Sequence, residues 1–166
     1  MSTKTGLSLE NYVRTSFPDL DREYLDGEIV ERSGPEIGHG VAQGNLYAFF
    51  RALRGKLPLF PTVETRTRVS AERVRIPDVS VYSPVMPSSP ALGDTPFIVI
   101  EILSPDDRMS GAMEKLHEYK AAGIAHIWVA DPHTRRLYAY SGALTEVPAF
   151  RLPEFNVEIA PAGIFD

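Results

Sequence analysis

The stretch PFIVIEILSP, residues 96–105, decides which fold the sequence predicts. Apolar side chains fill nearly all of it: Phe97, Ile98, Val99, Ile100, Ile102 and Leu103. A run that is apolar on both alternating faces is typical of a strand covered on both sides, as at the centre of an α/β sheet. Glu101 interrupts the run, and a buried carboxylate shifts its pKa, pairs with a cation or binds a metal. Glu101 is therefore the first candidate functional residue.

Size and composition predict one ordinary globular domain spanning residues 1–166. A chain of 166 residues buries roughly two-thirds of its unfolded surface. The absence of cysteine excludes thiol catalysis, cysteine zinc sites and disulfides. The first residues, MSTKTGLSLE, lack the apolar core of a signal peptide, and no apolar run approaches the ~18 residues that span a bilayer. We therefore expect a cytoplasmic protein with no membrane partner.

The net charge of −5 hides an uneven distribution. Residues 51–75 hold seven basic and two acidic side chains, so this segment carries +5 and the remainder −10. A basic segment of this kind suits the phosphate backbone of DNA, and a solvated surface explains it equally well. The candidate DNA-binding residues are Arg51, Arg54, Arg66 and Arg68.

Periodicity and turn signals place secondary structure along the whole chain. In order, they predict a helix within 8–17, a hairpin at 23–32 turning at Asp26-Gly27, a helix at 39–53, strands at 61–70 and 74–83, a loop at 84–96, the strand carrying Glu101, a helix at 109–122 stopped by Gly123, and strands at 124–132 and 135–142. Strand, helix and strand in succession predict an α/β fold, with a central mixed β-sheet flanked by helices and preceded by an N-terminal helix and β-hairpin.

Three residues form the strongest candidate site. Asp78 begins a strand, Glu101 lies in the next strand, and Lys115 lies on the helix that follows. If the strands are neighbours, the two carboxylates converge where they can hold a hard divalent cation. Each residue also has a structural explanation: a polar strand end for Asp78, an internal ion pair for Glu101 and a solvated surface position for Lys115.

Six blocks of sequence, in order, carry a resemblance to a known family. They are EYLDGE at 23–28, GHGVAQGNLY at 38–47, IPDVSV at 76–81, IEILSP at 100–105, EKLHEY at 114–119 and WVADP at 128–132. With these blocks the chain resembles the Uma-type restriction endonuclease-like family of the PD-(D/E)XK nuclease superfamily. The resemblance implies a restriction-endonuclease-like fold and a DNA endonuclease that uses Mg²⁺ or Mn²⁺.

The resemblance also implies roles for individual residues. Asp78 and Glu101 correspond to the metal-binding carboxylates, and the backbone carbonyl of Ile102 to a further ligand. Leu103 stands where the superfamily usually has its lysine, and Lys115 matches the family's replacement on the following helix. One departure is Gly111, where the family often has an aspartate.

Two further matches have alternatives of equal or greater weight. His39 matches a family histidine that contacts phosphate or takes a proton, and a structural histidine suits the same helix start. Glu28 matches the family hairpin, where it is a candidate metal ligand, and a solvated hairpin of Glu23, Asp26 and Glu28 is the simpler interpretation.

Other chemistries fit the sequence poorly. The glycines of GHGVAQG lack the spacing and preceding parallel strand of a dinucleotide loop, so no nucleotide cofactor is expected. The four histidines show no zinc-ligand spacing, and no serine lies in a Gly-x-Ser-x-Gly elbow. The main alternative is a non-catalytic nucleic-acid or protein-binding module that retains the fold, with Glu101 paired to Lys115. Cutting both DNA strands would suit a homodimer.

Overall fold

Two main sheets organise this protein, whose computed structural model describes residues 2–4, 6–88 and 93–166. The strands in these ranges are β1 (Ser2–Lys4), β2 (Glu23–Leu25), β3 (Glu28–Val30), β4 (Phe60–Val63), β5 (Thr67–Ser70), β6 (Arg73–Arg75), β7 (Val79–Tyr82), β8 (Ile98–Ile102), β9 (His126–Asp131), β10 (Arg136–Tyr140), β11 (Leu144–Val147), β12 (Phe150–Leu152) and β13 (Val157–Ile159). The helices are α1 (Leu9–Arg14), α2 (Ile37–Leu53), α3 (Met109–Ala121) and α4 (Ala162–Phe165), with a 3-10 turn at Pro153–Phe155. Within the described ranges, each helix is too short or too polar to cross a membrane.

The larger sheet confirms the predicted α/β architecture. Its strand order is β11-β10-β9-β8-β7-β4, with β8 and β9 parallel and the other neighbours antiparallel. Ile98, Ile100 and Ile102 of β8 pack on the face covered by α2, and Val99 packs on the face covered by α3. Because side chains alternate along a strand, Glu101 lies on the α3 face.

The smaller sheet contains the predicted hairpin. Its order is β1-β3-β2-β6-β5, and β2 and β3 are joined at Asp26 and Gly27, whose φ angles are 52° and 87°. Two left-handed residues in succession are what a tight hairpin turn needs, and Asp-Gly is a favoured pair for it. Tyr12 of α1 stacks on Tyr24 of β2 at 5.3 Å between ring centroids, which fixes α1 on this sheet.

The predicted strands at 61–70 and 74–83 differ from what the structure contains. Each is divided between the two sheets, because β4 and β7 pair in the larger sheet and β5 and β6 pair in the smaller one. Glu64 follows β4 with a φ of 48°, and this left-handed conformation turns the chain out of the larger sheet. Residues 76–78 bring the chain back, so Asp78 lies at the corner between the sheets.

The end of α3 and the loop after β7 agree with the sequence patterns. Gly123 follows α3 with a φ of 85°, the conformation that favours glycine after a helix. Residues 84–88 and 93–96 of the predicted loop contain no helix or strand, and residues 89–92 lie outside the described residues. The strands β11 to β13 and α4 were not predicted.

Candidate active site

A cleft of about 270 Å³ opens where the two sheets meet α3. It is lined by seven acidic side chains, which are Glu23, Glu31, Glu64, Asp78, Glu101, Asp107 and Glu114. The basic side chains of its lining are Arg32, Arg75, Arg108 and Lys115, together with His39. With every acid formally ionised and His39 neutral, the lining has an excess of three negative charges, so a polyanion entering this cleft needs an additional cation.

The structure brings Asp78 and Glu101 together, as the sequence predicted. Asp78 precedes Val79 and Glu101 follows Ile100 along the chain, and both side chains line the cleft. Strands β7 and β8 pair as far as Val79 with Ile100. The regular pairing stops there, and the Ile102 N–H donates instead to Asp78 Oδ2 at 2.7 Å.

The second oxygen of Asp78 faces two basic groups. Arg32 Nη2 lies 3.2 Å from Asp78 Oδ1, and His39 Nε2 lies 3.3 Å from the same atom. Burial lowers the pKa of His39, but the hydrogen bond and the charge of Asp78 outweigh burial, and the pKa is raised overall. His39 Nδ1 is buried without a hydrogen-bond partner among the described atoms.

Glu101 and Lys115 form a partly exposed ion pair on the α3 side of the cleft. Lys115 Nζ lies 3.6 Å from Glu101 Oε2 and 3.4 Å from Glu23 Oε1, and the Tyr119 hydroxyl donates to Glu101 Oε1 at 2.5 Å. Burial raises the pKa of Glu101 to about 7, against the opposing effect of Lys115 and with added repulsion from Asp78. The charge of Glu101 raises the pKa of Lys115, which keeps its ammonium protonated.

Glu23 corrects the interpretation of the hairpin acids as solvated. This carboxylate is 3% exposed, accepts from Arg75 Nη1 at 2.9 Å and contacts Lys115. Arg75 also donates from Nε to Glu118 Oε2 at 2.6 Å, which ties the smaller sheet to α3. The signal in the sequence is Arg75 itself, a single charge within the otherwise apolar VRI, because a buried arginine needs an acid.

Three candidate positions can be placed relative to this cleft. Glu28 lies in β3 opposite Leu25 and is absent from the cleft lining found among the described residues, so the structure does not bring it to the site. Ile102 contacts Asp78 through its N–H, and a ligand role for its carbonyl stays a prediction. Arg32, which no sequence pattern indicates as a site residue, contacts Asp78 directly.

The four candidate DNA-binding arginines do not line the described cleft. Arg51 and Arg54 lie near the far end of α2, and Arg51 is about 18 Å along the helix from His39. Arg68 donates from Nε and Nη2 to the carbonyls of Ser70 and Ala71.

Arg66 makes an extensive set of structural contacts, and its role in DNA binding stays a prediction. Its guanidinium donates to both Asp21 oxygens, at 2.7 and 2.6 Å, and to the carbonyls of Tyr12, Val13 and Thr15. These contacts use all five N–H groups that an arginine has. A phosphate could bind Arg66 only by breaking them.

Replacing Arg66 is therefore expected to destabilise the fold. Arg66→Met removes the cation from Asp21 and one donor from each of three carbonyls of the N-terminal segment, of which the Tyr12 carbonyl keeps the Thr15 N–H. The loss lowers the free energy of unfolding by about 3 kcal/mol. Urea unfolding followed by circular dichroism measures this change. The exposed Arg14→Met, which loses only an i,i+4 pair with Glu10, is the control, and equal stabilities of the two variants would contradict the assignment.

The fold and the cleft together define a restriction-endonuclease-like protein, in which adjacent central strands present an aspartate and a glutamate beside a lysine. The chain belongs to the Uma2 family, described as "Putative restriction endonuclease", which it matches over residues 9–160. The family resemblance and the fold expected from the six sequence blocks are both confirmed.

A solved structure has the same fold at low sequence identity. It is the crystal structure of "a putative nuclease belonging to DUF820" from Anabaena variabilis, 17% identical, with a TM-score of 0.78 over 96% of this chain and 97% of that chain. No curated protein matches the chain. The similarity supports the fold, and the family membership supports a nuclease.

Proposed function

We propose that this protein hydrolyses phosphodiester bonds of DNA with a divalent cation, Mg²⁺ or Mn²⁺, held by Asp78 and Glu101. The observation that carries the proposal is the convergence of these two carboxylates from neighbouring strands in one cleft with Lys115. Membership of a family described as "Putative restriction endonuclease" supports the same reaction class.

The residues of the cleft suit a hard cation. Carboxylate oxygens are the ligands that Mg²⁺ and Mn²⁺ prefer, and Mg²⁺ typically takes one or two carboxylates and keeps several waters. Within the described residues, no three histidine or acidic side chains are already grouped as ligands, and the carboxylates contact Arg32 and Lys115 instead. Both contacts are made by side-chain cations, which a divalent ion can replace. We therefore propose a metal site of two carboxylates completed by water molecules.

Each residue then has a chemical role. Asp78 and Glu101 would hold the ion, which would supply a water of lowered pKa and positive charge against the phosphate. Lys115 orients Glu101 and supplies positive charge where negative charge increases on the phosphorus oxygens. His39, with one nitrogen on Asp78 and the other without a described hydrogen-bond partner, contacts the phosphate or takes a proton near neutral pH.

A non-catalytic binding module is the second candidate, because both carboxylates already contact a basic side chain. In that case Arg32–Asp78 and Lys115–Glu101 are permanent ion pairs within a fold used for binding. Titration of Mn²⁺ into the protein by calorimetry, followed by plasmid nicking in the same buffer, separates the two candidates. The nuclease requires both binding and nicking, and the absence of Mn²⁺ binding at millimolar concentration favours the module.

The affinity for Mn²⁺ should depend on pH, because Glu101 is a proposed ligand and its pKa is raised. Its pKa is about 7 in place of 4.5, and the ion binds the ionised carboxylate. Below about pH 7 the proton competes, so affinity should fall by up to about tenfold per pH unit and level off above it. Calorimetry across this range measures the effect, and an affinity that is constant down to pH 5 would contradict this role for Glu101.

The substrate and assembly follow from the proposed reaction. Duplex DNA is the proposed partner, and a homodimer would place two such sites on opposite strands. Analytical ultracentrifugation of the protein alone and with a short duplex measures both the assembly state and its change on binding.

A further inference from the structure

Arg32 lies between two acids of the cleft and belongs to neither sheet. It follows β3 in the segment leading to α2, and its side chain is 13% exposed. Nη2 is 3.2 Å from Asp78 Oδ1, and Nη1 is 3.7 Å from Glu64 Oε2. The guanidinium is therefore a cation beside one of the two proposed metal-binding carboxylates.

The hydrogen bonds of Arg32 are incomplete. Nη1 is buried and has no hydrogen-bond partner among the described atoms, because 3.7 Å is beyond hydrogen-bonding distance to Glu64. An unsatisfied buried donor is costly. Arg66 provides the contrast within the same chain, since all five of its N–H groups donate to protein oxygens.

Asp78 does not depend on Arg32 for its position. The Ile102 N–H fixes Asp78 Oδ2 at 2.7 Å, and the Asp78 carbonyl accepts from Gln43 Nε2 at 3.0 Å. A divalent ion at Asp78 would neutralise the charge that attracts Arg32. The guanidinium would then be left in the cleft with free donors.

We propose that Arg32 is a phosphate-binding residue of this cleft, held on Asp78 in the metal-free protein and transferred to a substrate phosphate when a divalent ion occupies Asp78. The inference rests on the proposed nuclease function and adds a substrate-binding residue to it. Guanidinium groups bind phosphate oxygens through two parallel hydrogen bonds, a geometry that lysine cannot reproduce. Under the proposed nuclease function, the ligand is a phosphodiester group of a nucleic acid.

The first measurement is titration of Mn²⁺ alone into wild type, Arg32→Gln and Arg108→Gln. Arg32→Gln removes the competitor for Asp78 and should bind Mn²⁺ about tenfold more tightly than wild type. Arg108 also lines the cleft and has no described contact with Asp78, so its variant reports the general loss of a positive charge. We expect Arg108→Gln to change the affinity by no more than about twofold.

The second measurement is binding of a short fluorescent DNA duplex, with and without saturating Ca²⁺, a cation that takes the same oxygen ligands. With Ca²⁺, Arg32→Gln should bind DNA about tenfold more weakly than wild type. Without metal the two should agree within about twofold, because Arg32 is then held on Asp78. Arg32→Lys keeps the charge but not the paired donors, and should be intermediate with Ca²⁺.

The outcomes separate this inference from the proposed function. If wild type binds Mn²⁺ and Arg32→Gln binds it no more tightly, Arg32 does not compete with the ion and the inference alone is wrong. An equal loss of DNA affinity with and without Ca²⁺ would make Arg32 a static charge and also overturn it. If neither protein binds Mn²⁺, the nuclease proposal fails and this inference with it. Thermal unfolding checks that the variants fold. If Arg32→Gln does not fold, the DNA-binding measurement uses Arg32→Lys in its place.

Discussion

Asp78→Asn is expected to abolish Mn²⁺ binding and to lower the rate of plasmid nicking by at least about 10³-fold. The substitution keeps the size of the side chain and an oxygen that can accept from the Ile102 N–H. It removes the charge that a divalent ion requires. Calorimetry and nicking on the same preparation measure both effects, and both should be lost together.

Asp107→Asn is the matched control for this experiment. Asp107 also lines the cleft, and its Oδ2 accepts from the Ser104 N–H at 2.7 Å, so it resembles Asp78 in charge and in its backbone bond. It lies outside the proposed pair of ligands, and its variant should still bind Mn²⁺. Unchanged Mn²⁺ affinity in Asp78→Asn would remove Asp78 from the metal site.

Lys115→Met is expected to separate ion binding from catalysis. Asp78 and Glu101 remain, so Mn²⁺ still binds at a pH where Glu101 is ionised. The rate of nicking should fall by about 10²–10³-fold, because positive charge at the phosphate is lost. The cost in folding should be only about 1–2 kcal/mol, because Glu101 can take a proton and Glu23 keeps Arg75. Single-turnover nicking, calorimetry and urea unfolding measure the three quantities.

Lys120→Met is the control on the same helix. Lys120 is exposed in the last turn of α3, so its loss should change none of the three quantities appreciably. In a binding module, Lys115→Met would lower stability and have no activity to remove. Loss of Mn²⁺ binding in Lys115→Met would show that Lys115 helps to form the ion site and would contradict the separation expected here.

Local patterns in the sequence predicted the elements that local chemistry determines. A run of residues that is apolar on both faces predicted β8. The Asp26-Gly27 pair predicted the hairpin turn, and Gly123 predicted the end of α3. The division of 61–70 and 74–83 between two sheets could not be predicted in this way, because both halves of each segment contain the β-branched residues typical of strands. That division depends on the left-handed backbone conformation of Glu64 and on which strands pair with each other in each sheet.

The site was predicted in part for a similar reason. The order of Asp78, Glu101 and Lys115 followed from strand and helix succession together with a family resemblance. Glu23 and Arg32 are 52 and 46 residues from Arg75 and Asp78, the residues that they contact. Periodicity assigns a residue to a face of a helix or strand but does not identify its long-range partner. A count of arginines does not distinguish a structural cation such as Arg66 from an arginine that is free to bind a ligand.

The hydrogen bond from the Ile102 amide to Asp78 makes the Ile102 N–H group a spectroscopic probe of the site. An amide proton that bonds directly to a carboxylate has a chemical shift that follows the charge on that carboxylate. In ¹⁵N-labelled protein the Ile102 resonance would respond to protonation of Asp78, to replacement of Arg32 by an ion, and to substrate. One NMR signal from the main chain could thus follow the occupancy of the cleft without any turnover of DNA.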